Sequence, residues 1–226
     1  MALVYSAEIR PSKIELITDW APTQPWFEGD AAAGFTNVAA YRFDDPEGEV
    51  GIETLLVRVG DGPLLQVPLT YRGAPLDGAD AWLITTMEHS VLGNRWVYDG
   101  TGDPAYLAAV ATAALTGGRQ ADVMAENGGE LTRRDPTAVV AGSGTRSEPV
   151  DPPAIGSVST RHEDGTTVVD AGALTISVPR VIDGGAAGAA ATVTVTAASD
   201  GDGAAVLRGT WPDQPNPRTL AVVVAR

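Results

Sequence analysis

The stretch VGIETLLVRVGDGPLLQVPLTYR, residues 50–72, predicts two antiparallel strands and decides the fold class of this chain. Its apolar first part ends at Asp61-Gly62, a dipeptide that favours the tight turn of a β-hairpin. Residues 64–72 then alternate between two faces, as a β-strand does. One face carries Leu65, Val67, Leu69 and Tyr71, and the other carries Gln66, Pro68, Thr70 and Arg72. Because Pro68 has no backbone N–H, it predicts an edge strand or a bulge.

Helices are predicted on both sides of this hairpin. Residues 11–20 place apolar side chains largely on one side, begin with a proline, and stop before Pro22. Asp103 caps a second, alanine-rich helix that runs to Leu115 and ends at a glycine pair. Further strands are expected at residues 34–45, where Phe35, Val38, Ala40 and Tyr41 are candidates for the buried face, and at residues 82–87 and 95–99. The first half therefore predicts an α+β unit.

The second half carries mainly strand signals. Gly-, Ser- and Pro-rich connections separate the strands, and residues 142–153 are the best candidate for a linker or disordered loop. We expect an α+β fold that is mostly antiparallel β, in two contiguous units, residues 1–120 and residues 121–226. The candidate strands of the second unit are residues 123–125, 137–141, 166–170, 173–181, 190–197, 204–211 and 218–224.

The charge balance limits the partners of the chain. The formal net charge is −14 and the sequence pI is near 4.4, which disfavours binding to nucleic acid and to anionic membranes. Solubility is the simplest interpretation of this charge, and attraction of a basic partner is the alternative. The first ten residues lack the pattern of a signal peptide, and no apolar run is long enough to span a bilayer. A cytoplasmic location is expected.

Motifs of catalysis are missing from the sequence. The chain has no cysteine, so thiolate chemistry and disulfides are excluded. Its two histidines, His89 and His162, lack metal-ligand spacing, and neither a nucleophile elbow nor a phosphate-binding loop is present. The one lysine, Lys13, lies near the start of the first helix and outside any predicted pocket strand. We therefore predict no catalytic residue, metal site or cofactor.

Aromatic side chains next to arginine and aspartate form the most informative pattern. Such groups act either as packed anchors or as a binding surface. The residues concerned are Trp26, Phe27, Tyr71, Arg72, Arg95, Tyr98 and Asp99.

Three segments that contain these residues resemble the N-terminal cap of actinobacterial maltokinases and related aminosugar kinases. They are LITDWAPTQPWFEGD (residues 16–30), LLQVPLTYRGAPL (64–76) and LGNRWVYDGTGDPAYLAAV (92–110). The family shows W-L-x-x-Q-R-W-F, Y-x-V-P-L-x-Y-R and V-Y-D-x-x-x-D-P in this order, and Pro25 departs from it by standing in place of an arginine. The resemblance spans roughly residues 10–116 and implies a curved sheet with flanking helices.

The second half resembles the remaining N-lobe of those kinases. ALTISVPRVIDGG (residues 173–185) is similar to the strand that carries the ATP-gripping lysine, and alignment on Pro179-Arg180 places Ser177 at the lysine position. LRGTWPDQPNPRTLAVVVAR (207–226) is similar to the two strands that lead toward the hinge. The catalytic C-lobe has no counterpart in this sequence. Because a serine hydroxyl cannot replace an ammonium that faces phosphates, the resemblance implies a degenerate N-lobe without kinase activity.

The leading functional hypothesis is a non-catalytic binding or regulatory module linked to trehalose, maltose or glycogen metabolism. Its expected partner is a kinase-like or trehalose/glycogen-pathway enzyme, or a second copy of the chain, since an N-lobe without its C-lobe exposes a surface that normally packs. Two alternatives remain open: the N-lobe half of a split sugar kinase, and a small-sugar-binding protein.

Overall fold

The computed structural model describes residues 2–5, 7–127, 130–183 and 204–226. The described residues contain two α-helices, α1 (Lys13–Trp20) and α2 (Pro104–Thr116), close to the predicted positions. Ser12 and Glu15 form a capping box at the start of α1, and Asp103 caps α2. None of the described helices is long and apolar enough to cross a membrane. The strand predicted at residues 190–197 lies outside the described residues.

The described strands make the protein mostly antiparallel β, as predicted. They are β1 (Ala2–Tyr5), β2 (Ile9–Arg10), β3 (Phe35–Phe43), β4 (Gly51–Val59), β5 (Leu64–Arg72), β6 (Leu83–His89), β7 (Gly93–Asp99), β8 (Val123–Asn127), β9 (Glu130–Arg134), β10 (Val139–Gly142), β11 (Val158–Glu163), β12 (Thr166–Ala171), β13 (Leu174–Pro179), β14 (Val181–Asp183), β15 (Ala204–Trp211) and β16 (Gln214–Ala225).

Three sheets contain these strands. The first is a curled half-barrel with the order β2-β6-β7-β5-β4-β3, and β14 is added beside β5. The second has the order β10-β15-β16-β13-β12-β11. The third is small and joins β1, β8 and β9. The strand predicted over residues 173–181 is divided between the first two sheets, because β13 ends at Pro179 and β14 pairs with β5 from Val181.

The prediction that Pro68 marks an edge strand or a bulge is wrong. β5 is a central strand, with β4 on one side and with β14 and β7 on the other. The backbone N–H of Gln66 donates to the Arg180 carbonyl of the connection into β14, and pairing with β7 starts at Leu69. Because backbone N–H groups alternate in direction along a strand, the nitrogen of Pro68 faces the place where one neighbour ends and the other begins. No ladder hydrogen bond is lost there.

β3 departs from the predicted alternation of buried residues. A register shift between Asn37 and Ala39 in its pairing with β4 inserts one extra residue. After the shift, Ala39, Tyr41 and Phe43 are buried, whereas Ala40 is only partly buried on the opposite face. Because a bulge reverses the side-chain alternation beyond it, Ala40 packs with Phe35 against the apolar cluster beneath α1, whereas Ala39 lies on the other face.

Residues of both halves of the chain share one hydrophobic core. α2 packs between the sheets, so that Tyr106 and Leu107 lie in the same buried cluster as Ile176, Leu207 and Val223. A second cluster lies beneath α1 and includes the buried Ile17. The division at residue 120 stays a prediction.

Residues 142–153 do not form the predicted linker or disordered loop. The backbone N–H groups of Gly144 and Arg146 donate to the carbonyls of Ala114 and Leu115 at the end of α2. A Cβ on Gly144 would lie 2.1 Å from the Leu115 carbonyl oxygen, so only glycine allows this approach. The segment satisfies carbonyls that a helix end leaves without partners.

Candidate functional site

A buried carboxylate, Glu53 of β4, is the centre of a polar cluster in the curled sheet. The residue is 5% exposed. Nε and Nη2 of Arg42 donate to its Oε1 at 3.2 and 3.0 Å. The Tyr71 hydroxyl donates to Oε2 at 3.0 Å, and Nζ of Lys13 lies 2.5 Å from the same oxygen.

These neighbours keep Glu53 ionised. Burial alone would raise the pKa of Glu53, but the charges of Arg42 and Lys13 outweigh burial and lower that pKa to about 2. Burial also raises the pKa of Tyr71 well above its usual value, so that its hydroxyl remains a donor. The cluster therefore consists of one anion, two cations and a phenol.

Strand register and a helix start bring the cluster together. Arg42 of β3 stands directly opposite Glu53 of β4, where oppositely charged side chains attract. Gly51 stands opposite Tyr71, and a Cβ on Gly51 would approach the tyrosine ring to 3.3 Å, so glycine leaves room for the ring. Lys13, the first residue of α1, reaches the cluster from the covering helix and lies 5.7 Å from the Tyr71 ring centroid.

A cavity of about 430 Å³ opens beside this cluster. Its volume falls in the range of small-molecule sites in proteins. Polar and charged residues on its wall are Lys13, Arg42, Asp44, Asp45, Glu49, Tyr71, His89 and Arg95. Apolar residues on its wall include Ile9, Phe43, Val50, Ile52, Met87 and Leu92. Within the described part of the chain, His, Asp and Glu form no group of three that would hold a metal ion.

His89 closes the end of β6 against the cavity. Its Nδ1 accepts hydrogen bonds from the backbone N–H groups of Val91 and Leu92, at 3.2 and 3.1 Å. Nδ1 is therefore unprotonated, and the neutral ring carries its proton on Nε2. Burial, followed by the charges of Arg95 and Lys13, lowers the pKa of His89. His89 is therefore a locally hydrogen-bonded residue at the end of β6.

Arg95 is the third cation on the wall. It makes no ion pair within the described residues. Its guanidinium lies against the backbone of Gly73, where an added Cβ would come within 2.7 Å of Nη1. Glycine at position 73 therefore lets this side chain extend along the strand end toward the cavity.

A second polar cluster lies in the interior. The fully buried Arg180 donates from Nη2 to both carboxylate oxygens of Asp99, at 2.7 and 2.6 Å, and from Nε to the Thr167 hydroxyl at 2.7 Å. Its guanidinium carbon lies 4.9 Å from the ring centroid of Trp26, a cation–π distance. The cluster links β7, β12 and the connection between β13 and β14.

The predicted site residues lie in several different parts of the structure. Tyr71 and Arg95 line the cavity. Arg72 forms a two-pronged ion pair with Asp103 at 2.7 Å for each contact. Phe27 stacks on Phe35 with ring centroids 6.0 Å apart.

For three of these residues the structure favours a packed anchor over a binding surface. Trp26, Tyr98 and Asp99 are 2%, 2% and 5% exposed, because the second sheet and α1 cover the curled sheet. Trp26 and Asp99 both contact Arg180, and the Tyr98 hydroxyl accepts from the backbone N–H of Leu76. These residues act as packed anchors in the structure.

Sequence reasoning missed four residues of the cavity and its cluster: Lys13, Arg42, Glu53 and His89. Lys13 lies outside the predicted pocket strands, but the first turn of α1 brings it to the cavity wall. The available signal was the register of β3 and β4, which sets Arg42 opposite Glu53. That register depends on the bulge in β3, which the sequence pattern did not reveal.

The fold and its site define a mostly antiparallel β protein in which a curled sheet, covered by α1, carries a cavity lined by three cations and three carboxylates. Residues 20–103 match the family model of the maltokinase N-terminal cap domain. This part of the chain is therefore a maltokinase N-terminal cap-like domain, and the predicted resemblance is confirmed for it. The match covers well under half of the 226 residues. It includes Glu53, Tyr71 and Arg95. A search of the curated proteins found no match.

Proposed function

We propose that this chain is a non-catalytic binding or regulatory module derived from the N-terminal half of a maltokinase-like sugar kinase. The match of residues 20–103 to the maltokinase N-terminal cap domain is the observation that carries the proposal. The link to maltose, trehalose or glycogen metabolism, and the cytoplasmic location, depend on that match. The partner is a kinase-like or trehalose/glycogen-pathway enzyme, or a second copy of the chain.

The second sheet supplies the degenerate N-lobe of this proposal. The strand that resembles the lysine strand, β13, pairs with β16, and β16 pairs with β15. The three strands of the two segments that resemble the N-lobe therefore lie side by side. Ser177 lies in the middle of β13, between Val168 and Val222, and offers a hydroxyl where a kinase would offer an ammonium.

Two measurements test this function. Purified full-length chain, incubated with ATP, Mg²⁺ and maltose or glucosamine, should form no ADP above the enzyme-free rate. Light scattering after size exclusion should show a complex with a maltokinase-type kinase, or a dimer of the chain alone. ADP formation that depends on the sugar would overturn the non-catalytic assignment. If the chain stays a monomer at all concentrations and in every mixture, the proposal of a partner is wrong.

The split kinase is the second candidate, favoured by the adjacency of β13, β16 and β15. Mixing the chain with the C-lobe of a maltokinase-type kinase should then produce sugar-dependent ADP formation, and ATP should raise the melting temperature of the mixture. Ser177→Lys should increase both effects. No effect of ATP on the mixture or on the Ser177→Lys mixture would exclude this candidate.

A further inference from the structure

The four acceptor positions of the Glu53 carboxylate are already used. Oε1 receives two hydrogen bonds from Arg42, and Oε2 receives the Tyr71 hydroxyl and the Lys13 ammonium. A carboxylate has about four lone-pair sites in its plane. Glu53 therefore has no acceptor left for a ligand in the cavity.

After these contacts, Lys13 and Arg42 still have N–H groups that donate no hydrogen bond to Glu53. Lys13 has an ammonium with three N–H groups and directs one contact to Glu53, while Arg42 uses two of its five. Arg95 makes no ion pair within the described residues. Three cations with unused N–H groups therefore line the cavity. An oxyanion group of a ligand, which accepts hydrogen bonds and carries negative charge, complements these three cations.

Three carboxylates on the same cavity wall limit such a ligand to one anionic group. Asp44, Asp45 and Glu49 line the same cavity. Asp45 accepts from the backbone N–H groups of Glu47, Glu49 and Val50, which holds its turn in place beside the cations. These carboxylates repel a second anionic group and accept hydrogen bonds from hydroxyl groups.

We propose that the cavity binds a small hydroxylated molecule with one oxyanion group, either a carboxylate or a phosphate monoester. The oxyanion contacts Lys13, Arg42 and Arg95, and the hydroxyl groups face Asp44 and Glu49. The apolar wall around Phe43 and Met87 contacts the carbon skeleton. This inference rests on the proposed binding role and names the ligand class of that role.

Titration of the full chain with three probes tests the inference. Gluconate and glucose 6-phosphate carry the two oxyanions, and glucose has the same hydroxyl groups without a charge. Calorimetry and amide chemical shifts should show binding of at least one anion, with shifts at residues 42–53, 71 and 95, and glucose should bind at least about tenfold more weakly. Absence of anion binding at millimolar concentration, or equal affinity for glucose, would overturn the inference.

Arg95→Gln is the decisive variant, because it removes one of the three cations without breaking an ion pair of the described residues. The Arg95 guanidinium lies beside Gly73. Its affinity for the anion should fall at least about tenfold, as expected for the loss of a charge-assisted hydrogen bond. Arg161→Gln is the matched control: its side chain is 56% exposed on β11, away from the cavity. A thermal melt of each variant should show that it is folded. Equal affinity of both variants and the parent would overturn the site.

The outcomes separate this inference from the proposed function. Anion binding at the cavity together with sugar-dependent ADP formation would leave the site standing and remove the non-catalytic role. A complex with a kinase but no anion binding would leave the role standing and remove the site.

Discussion

At the scale of single residues, two buried carboxylates show how the fold holds charge. Asp99 and Glu53 are each 5% exposed. Each has cationic and neutral hydrogen-bond donors around it, as a buried carboxylate requires. The partners differ: Arg180 reaches Asp99 from the second half of the chain, whereas Lys13 and Arg42 reach Glu53 from the first half.

Replacing Arg180 with methionine should destabilise the protein strongly. The change leaves Asp99 buried without its cation, and breaking a buried pair costs about 3–5 kcal/mol. Urea unfolding at neutral pH measures the loss. Arg161→Met removes an exposed arginine that pairs with Glu163 at 2.7 Å, and it should change stability by less than about 1 kcal/mol. Equal losses for the two variants would contradict an important role for the buried pair.

Glu53 should make folding stability depend on acid pH. Its pKa in the folded protein is about 2, below the ordinary value of 4.5. The group therefore contributes stability above about pH 4.5, and this contribution, about 3 kcal/mol, is lost as the pH falls toward 2. The free energy of unfolding of the parent minus that of Glu53→Gln should shrink over this window. A difference that stays constant from pH 6 to pH 3 would contradict the lowered pKa.

The residues of the candidate site were only partly predictable. Tyr71 and Arg95 carry a signal in the sequence because each stands next to an arginine or an aromatic residue, Arg72 and Trp96. Glu53 and Arg42 appear as single charges within apolar strands, and only the register of β3 and β4 shows that they face each other. A contact between Lys13 and Glu53 joins two elements far apart in the pattern, so local periodicity contains no information about it.

At the scale of elements, the helices and most strands follow from the sequence, and the departures have local causes. α2 begins after Asp103 and ends at Gly117 with a left-handed backbone, as its capping residues predict. The sequence pattern does not predict β11, because five of its six residues are polar and at least partly exposed, and the last strand of a sheet requires little burial. The bulge in β3 and the central position of Pro68 depend on neighbouring strands.

The contact between residues 142–146 and the end of α2 gives a prediction at this scale. Gly144→Ala would place a Cβ 2.1 Å from the Leu115 carbonyl oxygen and should cost about 1–3 kcal/mol, because the backbone has to move apart. Gly156→Ala is the matched control, since the methyl group that it adds meets no atom within 4 Å. Thermal unfolding compares the two. A melting temperature for Gly144→Ala within about one degree of that of Gly156→Ala would show that the approach is not close.

At the scale of the whole molecule, one side chain connects the two large sheets. Gln66 of β5 is fully buried. Its Nε2 donates to the carbonyls of Pro179 and Leu220, each at 2.9 Å, and its Oε1 accepts from the Tyr41 hydroxyl at 3.1 Å. The sequence pattern placed Gln66 on the polar face of β5. The structure covers that face with the second sheet, which no local alternation predicts.

The shared core predicts that the protein unfolds as one unit. α2 packs against β10, β15 and β16, and β14 adds to β5 of the curled sheet, so residues 1–120 alone would leave the apolar face of α2 without its partner. Fragment 1–120 should therefore lack the dispersed amide spectrum of a folded protein. In the full chain, Gln66→Leu should lower the midpoint of a single unfolding transition. Five tryptophans contribute to the fluorescence. The difference between the parent and Trp26→Phe gives the signal of Trp26, which packs against the curled sheet, and the difference between the parent and Trp211→Phe gives the signal of Trp211 in the second sheet. Coincident midpoints for these two signals would agree with a single cooperative unit. Separate midpoints, together with a folded fragment 1–120, would instead confirm two units that meet at residue 120.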